Sequence, residues 1–418
     1  MEPNIALQRL RSAGSSAEIL MVRAFNVDFS WEKGTQHGMT YYEEGFGVRV
    51  IKGHRQGFAY GPQLDDELLS RAMKAADASK EDPYNSIPSP EGRVEEIPDS
   101  YDAALEEPHD AIRGLLDALV SLSSGAYNLI MARAWGGWAE VRILNTEGVD
   151  VSSRNSFTGV AAVGNYVKGD YVGPEVSEYL DSRRLNGLRP ELVVERLSLK
   201  TEMTAARRRA DITGRPILLT PKAVNALLFP LLNHSINLEN IVRGRSPLRP
   251  GEAVGVKVTI TDDPRLPDGP WSRSFDGEGL PTMRTTVIKD GVFLTPLSNT
   301  YWARRASAAN THSSWRTFMS LPVISATYLV IEGPSVKDVG DAVIVDDVQG
   351  VHTSNFDAGE FSVTASVAWD DDGGIREFVV SGDLKSLLSG LEGAAHEGQR
   401  YGRVVTGSLL VRGLRTSS

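Results

Sequence analysis

The spacing of apolar positions in the first eighty residues predicts two antiparallel strands followed by a helix. In residues 44–52, apolar side chains recur at every second position, as in a strand with one better-buried face. Gly53 and His54 can turn the chain, so residues 56–60 would return antiparallel. Asp65 then offers a cap for a helix whose apolar residues follow at helical spacing.

The pattern between residues 80 and 190 predicts ordered elements separated by polar connections. Residues 80–100 hold four prolines and many charges, which indicates a long surface connection. A helix is predicted over residues 109–122, and a meander of short strands over residues 129–163. The turns of this meander are predicted at two glycine-containing pairs, Gly136-Gly137 and Glu147-Gly148. Residues 164–190 are glycine-rich and polar, which favours another surface stretch.

Two further helices are predicted near the centre of the chain. The first covers residues 197–210 and carries three consecutive arginines, residues 207–209, which form either an anion site or a solvated helix face. The second begins at Thr220 and Pro221, a favourable N-cap and first helical residue. Proline in a helix interior removes a hydrogen bond, so this second helix should kink or stop at Pro230.

The remainder of the chain is dominated by strand patterns. Asp290 and Gly291 mark a hairpin turn, and residues 361–369 alternate as a strand with one buried face. Residues 262–264 are interpreted as a turn, and residues 370–372 as the solvated tip of a hairpin. The fold class predicted from these patterns is α+β, with antiparallel sheets, a few flanking helices and a mostly β C-terminal part.

The chain has 418 residues, which suits two or three domains. We expect an N-terminal α+β domain over residues 1–190, in which segments 1–80 and 105–190 are joined by the proline-rich connection. A β-rich C-terminal domain is expected over residues 211–418.

The composition excludes several kinds of functional site. The chain has no cysteine, so disulfides, thiolate metal sites and cysteine nucleophiles are excluded. Its net charge of −10 argues against nucleic-acid binding, which normally uses a basic face. The densest apolar run, residues 226–232, is far shorter than the ~20 residues that span a bilayer. We therefore expect a cytoplasmic protein that binds neither nucleic acid nor membrane.

The candidate chemistry is limited to a few acidic and histidine side chains. Asp276 and Glu278 flank Gly277, and two close carboxylates can bind a cation or divide acid and base roles. The alternative is a glycine-containing turn in which these carboxylates cap backbone N–H groups. No pair among the seven histidines has the H-E-x-x-H spacing of a zinc site.

Three blocks of sequence resemble the TldD/PmbA family. Residues 275–291 resemble its F-D-D-E-G-x-P-T-x-x-T-x-x-I-x-x-G block. Residues 350–353 with 359–362 look like its G-x-H-[ST]…G-[DE]-F-S block, which includes His352. Residues 45–50 with 55–59 look like its G-x-G-x-R-V…G-F-A block. The blocks occur in the family's order and span nearly the whole chain.

The resemblance implies one of two kinds of subunit. TldD-like subunits are zinc peptidases with an H-E-x-x-x-H helix and a later cysteine ligand, and PmbA (TldE) subunits lack these ligands and pair with them. In this chain Phe229 and Pro230 stand where the first histidine and the glutamate belong, and only His234 matches the second histidine. One imidazole cannot hold a catalytic zinc, which usually needs three protein ligands. His234 is then a remnant or a packing residue.

The resemblance therefore implies a non-catalytic PmbA/TldE-like subunit in a heterodimer that degrades unfolded or small peptides and matures peptide precursors. Zinc is expected in the TldD-like partner and no cofactor in this chain, which could also form a homodimer. His352 would line the cleft between subunits or be held in a sheet loop. One alternative is an independent hydrolase that uses Asp276, Glu278 and His352. Another is a regulatory binding protein, following the family's older label, modulator of DNA gyrase.

Overall fold

A six-stranded antiparallel sheet forms the N-terminal part of the chain. The computed structural model describes residues 1–255 and 258–417. The elements of this part are α1 (Pro3–Ser12), β1 (Ser16–Glu32), β2 (Thr35–Lys52), β3 (Arg55–Gly61), α2 (Asp66–Ala78), α3 (His109–Ser123), β4 (Asn128–Asn145), β5 (Asp150–Asn165), β6 (Val167–Lys168), β7 (Tyr171–Val172), β8 (Val176–Ser182) and α4 (Pro190–Met203). The strand order in the sheet is β3-β2-β1-β4-β5-β8.

The first hairpin and helix form as their pattern predicts. Lys52 pairs with Arg55 across the turn between β2 and β3. The Asp65 carboxylate accepts a hydrogen bond from the Leu68 N–H and caps α2. The helix lies so close to β3 that a side chain at Gly57 would collide with the backbone of α2. Glycine is therefore needed here for close approach, and not for a turn.

The predicted turn at Gly136-Gly137 is wrong, because β4 runs unbroken through both glycines. A Cβ atom on Gly136 would lie 2.6 Å from Ile112 Cδ1 of α3. A Cβ atom on Gly137 would fall on the carbonyl oxygen of Phe25 in β1. These glycines let a helix and a neighbouring strand approach the sheet, whereas the predicted turn at Glu147-Gly148 does connect β4 to β5.

The Gly137→Ala variant should therefore lose roughly 1–3 kcal/mol of unfolding free energy, since the added methyl group has no space. Gly114 in α3 is the matched control, because its added Cβ would meet nothing within 4 Å. Gly114→Ala should stabilise the chain by about 0.5–1 kcal/mol, as expected for glycine in an exposed helix position. Urea unfolding of both variants checks this prediction, and equal effects of the two substitutions would contradict it.

Three other local predictions in the middle of the chain are corrected. Residues 176–182 form β8 at the sheet edge, although the whole of 164–190 was expected to be a surface stretch. The central helix is α4, which begins at Pro190 and ends before the three arginines. Arg208 Nη2 lies 2.5 Å from Asp370 Oδ1, so Asp370 is a buried ion-pair partner, whereas Asp371 and Asp372 form the exposed hairpin tip that was predicted. Long-range contacts hold these segments: β8 pairs with β5, the Arg208 N–H donates to the Gly374 carbonyl oxygen, and the Arg208 side chain binds Asp370.

A large mixed sheet forms the C-terminal part. Its elements, with two small outlying strands, are β9 (Ile217–Leu219), α5 (Pro221–Ser235), α6 (Leu238–Val242), β10 (Thr259–Asp262), β11 (Thr285–Lys289), β12 (Val292–Phe293), α7 (Thr300–Ala306), β13 (Ser314–Trp315), β14 (Val323–Ile324), β15 (Leu329–Glu332), β16 (Val343–Gln349), β17 (Glu360–Asp370), β18 (Gly373–Ile375), β19 (Phe378–Asp383), α8 (Leu384–Ser389), β20 (Leu391–Tyr401), β21 (Val404–Val411) and β22 (Arg415–Ser417). The α+β fold class is confirmed.

The sheet order is β12-β11-β10-β15-β21-β9-β16-β17-β19-β22, and β18 and β20 pair with β17 and β21. Most pairs are antiparallel, but β15–β21 and β9–β16 are parallel. The predicted hairpin at Asp290-Gly291 joins β11 to β12. Helix α5 packs against this sheet and contributes six residues to the largest buried apolar cluster. Among the described residues, no helix is both long and apolar enough to cross a membrane.

Candidate functional site

Helix α5 is the element that would present metal ligands in a zinc-containing subunit of the resembled family. Thr220 caps its first turn by accepting a hydrogen bond from the Ala223 N–H, as predicted. The helix does not end at Pro230 but continues to Ser235. Proline costs about 3 kcal/mol inside a helix, whereas each fully buried leucine contributes about 1.5–3 kcal/mol. The cost of Pro230 is outweighed by the burial of four leucines on this helix: Leu227, Leu228, Leu231 and Leu232.

The three predicted metal-helix positions do not form a zinc site. The Arg403 guanidinium lies 4.7 Å from the centre of the Phe229 ring, so Phe229 packs against a cation. Pro230 has no donor atom. His234 Nε2 lies 2.9 Å from the Arg245 carbonyl oxygen, which can only accept, and Asn240 Nδ2 lies 3.2 Å from His234 Nδ1. Both ring nitrogens are therefore engaged in hydrogen bonds.

No group of three or more potential metal-binding side chains lies together in the described part of the chain. Since Phe229 and Pro230 offer no ligand and the nitrogens of His234 are occupied, the residues of α5 do not fit a catalytic zinc. His234 also lies 3.0 Å from the exposed Asp357 carboxylate. These contacts join α5 to the two loops around residues 245 and 357, which is a structural arrangement.

Asp276 is buried at the centre of the loop in the first family block. Its Oδ1 atom accepts hydrogen bonds from the N–H groups of Glu278 and Leu280, at 2.9 and 3.0 Å. Its Oδ2 atom accepts from the Ser314 hydroxyl at 2.7 Å and from the Ser314 N–H at 3.3 Å. This is the turn-capping alternative raised by the sequence, because three of the four bonds come from backbone N–H groups around the carboxylate.

Glu278 belongs to a buried ionic network that connects the two parts of the chain. Arg49 Nη2 lies 3.2 Å from Glu18 Oε2 and 3.4 Å from Glu278 Oε1, and Arg316 Nη2 lies 2.5 Å from Glu18 Oε1. Burial raises the pKa of the Glu278 carboxyl; the Arg49 guanidinium opposes this shift and the charge of Asp276 adds to it. Glu278 also accepts a hydrogen bond from the Thr300 N–H at 2.8 Å.

The two carboxylates line different cavities. Asp276 borders a cavity of ≈ 200 Å³ between the N-terminal sheet and the two segments that contain Trp271 and Trp315. Glu278 borders another cavity of ≈ 310 Å³, together with Arg49 and Tyr301. The loop around Gly277 thus lies between two cavities, although both of its carboxylates are buried and engaged in structural bonds.

His352 lies apart from these contacts. It is exposed in a single 3-10 turn, Val351–Thr353, which follows Gly350 at φ +89°. The turn is closed by a 2.7 Å hydrogen bond from the Thr353 hydroxyl to the Gly350 carbonyl oxygen. Among the described residues, no hydrogen bond or ion pair joins His352 to Asp276 or Glu278. Its role in a cleft between subunits stays a prediction.

Four side chains around the Asp276 cavity are absent from the sequence predictions: Trp271, Arg273, Trp315 and Arg316. The sequence offered only a local signal for them, since each arginine follows a tryptophan by one or two positions. Only the fold shows that these two segments meet against the N-terminal sheet.

The chain matches two models of one protein family. Residues 17–79 match the PmbA/TldA metallopeptidase domain 1, and residues 213–418 match the PmbA/TldA metallopeptidase C-terminal domain. Together these ranges cover more than half of the chain. The chain therefore belongs to the PmbA/TldD family.

Similar proteins agree with this assignment. An uncharacterized protein of Methanocaldococcus jannaschii is 29% identical over 84% of this chain and 83% of its own length. The metalloprotease PmbA of Escherichia coli O157:H7 is 23% identical over 97% of this chain and 93% of its own length. The crystal structure of TldE from Thermococcus kodakarensis has the same fold, with a TM-score of 0.89, 23% identity and 99% coverage of both chains.

Proposed function

We propose that this chain is the non-catalytic, PmbA/TldE-like subunit of a two-subunit zinc peptidase. In this proposal a TldD-like partner holds the zinc, and this chain shapes the path by which unfolded or small peptides reach it. The complex would act in proteolysis and in the maturation of peptide precursors. Family membership and the likeness to PmbA and TldE support the choice of partner.

The observation that carries the proposal is the chemistry of α5. Phe229 and Pro230 provide no ligand and no general base, and His234 uses both ring nitrogens in hydrogen bonds within the chain. The chain also has no cysteine to serve as a later ligand. Asp276 and Glu278 are held in structural contacts, which weakens the alternative of an independent hydrolase at these residues.

We expect the purified chain alone to hydrolyse neither casein nor unfolded peptides, with or without added zinc. Mixing it with the TldD-like subunit from the same source should raise hydrolysis at least tenfold above the sum of the separate subunits. A chelator should abolish the activity of the mixture. Chelator-sensitive hydrolysis by this chain alone would overturn the proposal.

The His234→Gln variant separates a remnant histidine from a working ligand. Its amide can still donate to the Arg245 carbonyl oxygen, so we expect the mixture to keep its activity within about twofold. A loss of zinc-dependent hydrolysis in a folded variant would show that His234 acts on the metal or the substrate. Asp276→Asn should instead destabilise the isolated chain, because the asparagine Nδ2 atom cannot accept the Ser314 hydrogen bonds that Asp276 Oδ2 accepts.

A further inference from the structure

The cavity beside Asp276 combines an apolar wall with unusual polar groups. Its apolar lining comes from the N-terminal sheet and the loop before Asp276: Leu20, Val141, Ile143, Phe157 and Phe275. Trp271 and Trp315 stand at its edge and are 48% and 41% exposed. Its volume of ≈ 200 Å³ is below the ~300–1,000 Å³ typical of a site that encloses a whole small molecule. It therefore suits the end of a longer ligand.

Two arginines that line this cavity carry buried side-chain donors without an acceptor among the described residues. The Arg316 side chain is 1% exposed, and its buried Nε atom has no hydrogen-bond acceptor among the described residues. The buried Nε atom of Arg273 also lacks an acceptor within the described part of the chain. Buried donors are nearly always paired in folded proteins. Both side chains line the cavity.

The carboxylates near this cavity leave both Nε donors without an acceptor, because Glu18 contacts Arg316 through Nη2, 2.5 Å from its Oε1, and not through Nε. Both oxygens of Asp276 already accept hydrogen bonds, from Glu278, Leu280 and Ser314. The unmet capacity of the cavity is therefore for an acceptor, and a carboxylate matches the planar guanidinium group best. Because apolar residues lie next to the arginines, the carboxylate should belong to a residue with an apolar side chain.

We propose that this cavity binds the C-terminal residue of a peptide. Its carboxylate accepts hydrogen bonds from Arg273 and Arg316, its apolar side chain lies against Val141 and Phe275, and the preceding residue passes between the tryptophans. The choice of a peptide as the ligand rests on the proposed function. The cavity itself is formed by this chain alone, so binding can be measured without a partner subunit.

The experiment is a calorimetric titration of the purified chain with N-acetyl-Ala-Leu, with its C-terminal amide, and with N-acetyl-Ala-Glu-amide. We expect the free acid to bind at least tenfold more tightly than either amide. The Glu-amide probe distinguishes a C-terminal carboxylate from an acidic side chain. Quenching of tryptophan fluorescence by the free acid provides a second readout.

Two serines of β5 provide matched variants. Ser153 lines the cavity, whereas Ser152 is exposed and lies outside its lining. Ser153→Phe should lower affinity for the free acid at least tenfold, and Ser152→Phe should leave it within twofold. Arg273→Gln should remove the preference for the acid over the amide.

Equal affinity for acid and amide, or binding that Ser153→Phe does not weaken, would overturn the proposal. Absence of binding by the wild-type chain would do the same. These outcomes leave the hydrolysis result with the partner subunit unaffected. Conversely, if the chain binds the peptide but does not stimulate a TldD-like subunit, only the proposed function is contradicted, and the proposed binding site stands.

Discussion

Replacing Arg49 by methionine is expected to lower the unfolding free energy by about 3–5 kcal/mol, the usual cost of removing one partner from a buried ion pair. The Arg49 side chain is 5% exposed and contacts carboxylates from both parts of the chain, Glu18 and Glu278. Without it, the remaining guanidinium of Arg316 faces two buried carboxylates. Methionine fills a similar volume, so the loss reports mainly on charge.

Arg23 is the matched control, because it lies on β1 and pairs with Glu140 on the exposed face of the same sheet. Arg23→Met should cost less than about 1 kcal/mol, as is usual for an exposed ion pair. Urea unfolding followed by circular dichroism compares the two variants. A cost below 1 kcal/mol for Arg49→Met would mean that the network does not stabilise the junction of the two parts.

A double variant tests the assigned cause. Adding Glu278→Gln to Arg49→Met removes one uncompensated carboxylate, and the glutamine oxygen can still accept the Thr300 N–H. We expect the second change to recover roughly 1–3 kcal/mol, a coupling energy typical of contacting residues. Additive losses would show that packing of the arginine stem, and not its charge, accounts for the effect.

The surroundings of Arg49 show that the sequence predicts local structure and does not predict long-range contacts. The alternating pattern around Arg49 correctly predicts a strand, because burial on one face of a sheet has a local period of two. The same pattern contains no information on the contact with Glu278, which is 229 positions away. Helix α2 and the hairpin at Asp290-Gly291 follow in the same way from local caps and turns.

The errors have a common physical origin. Gly136 and Gly137 have the composition of a turn, but they are selected by close packing against α3 and β1. Asp370 lies in an acidic run, yet Arg208 and Arg215 bury it. Local composition and long-range contacts compete at each of these positions, and the contacts decide the structure.

The candidate site also has features that the sequence predicts and features that depend on long-range contacts. The sequence alone shows that Phe229 and Pro230 cannot bind a metal, because their side chains have no ligand atom. The engagement of both His234 nitrogens could not be predicted, since the partners come from other loops. The cavity with Arg273 and Arg316 also depends on two distant loops that meet only in the fold.

The buried carboxyl of Asp262 is expected to make the unfolding free energy depend strongly on pH. It ends β10, although a turn was predicted there, and its side chain is buried where Oδ1 accepts hydrogen bonds from the Thr327 and Tyr328 N–H groups. Burial raises the pKa of this carboxyl to about 6 from 3.8, against the opposing effects of these hydrogen bonds and of Arg273 and Arg403. The folded chain therefore holds a proton that the unfolded chain releases between pH 4 and 6.

Because the folded state binds more protons in this window, the contribution of Asp262 to stability falls as pH rises, by about 3 kcal/mol in total. Asp262→Asn keeps the accepting oxygen and removes the charge. The variant should match the wild type near pH 4 and exceed its unfolding free energy by about 3 kcal/mol at pH 7.5. Urea unfolding of both proteins from pH 4 to 7.5 measures the difference.

Asp290→Asn is the matched control, since Asp290 is exposed at a hairpin turn with a positive φ that asparagine also accepts. Its stability should stay within about 0.5 kcal/mol of the wild type at every pH. A constant difference between Asp262→Asn and the wild type across the range would contradict the prediction. It would show that Asp262 stays ionised when folded, with Arg273 and Arg403 offsetting the cost of burying its charge.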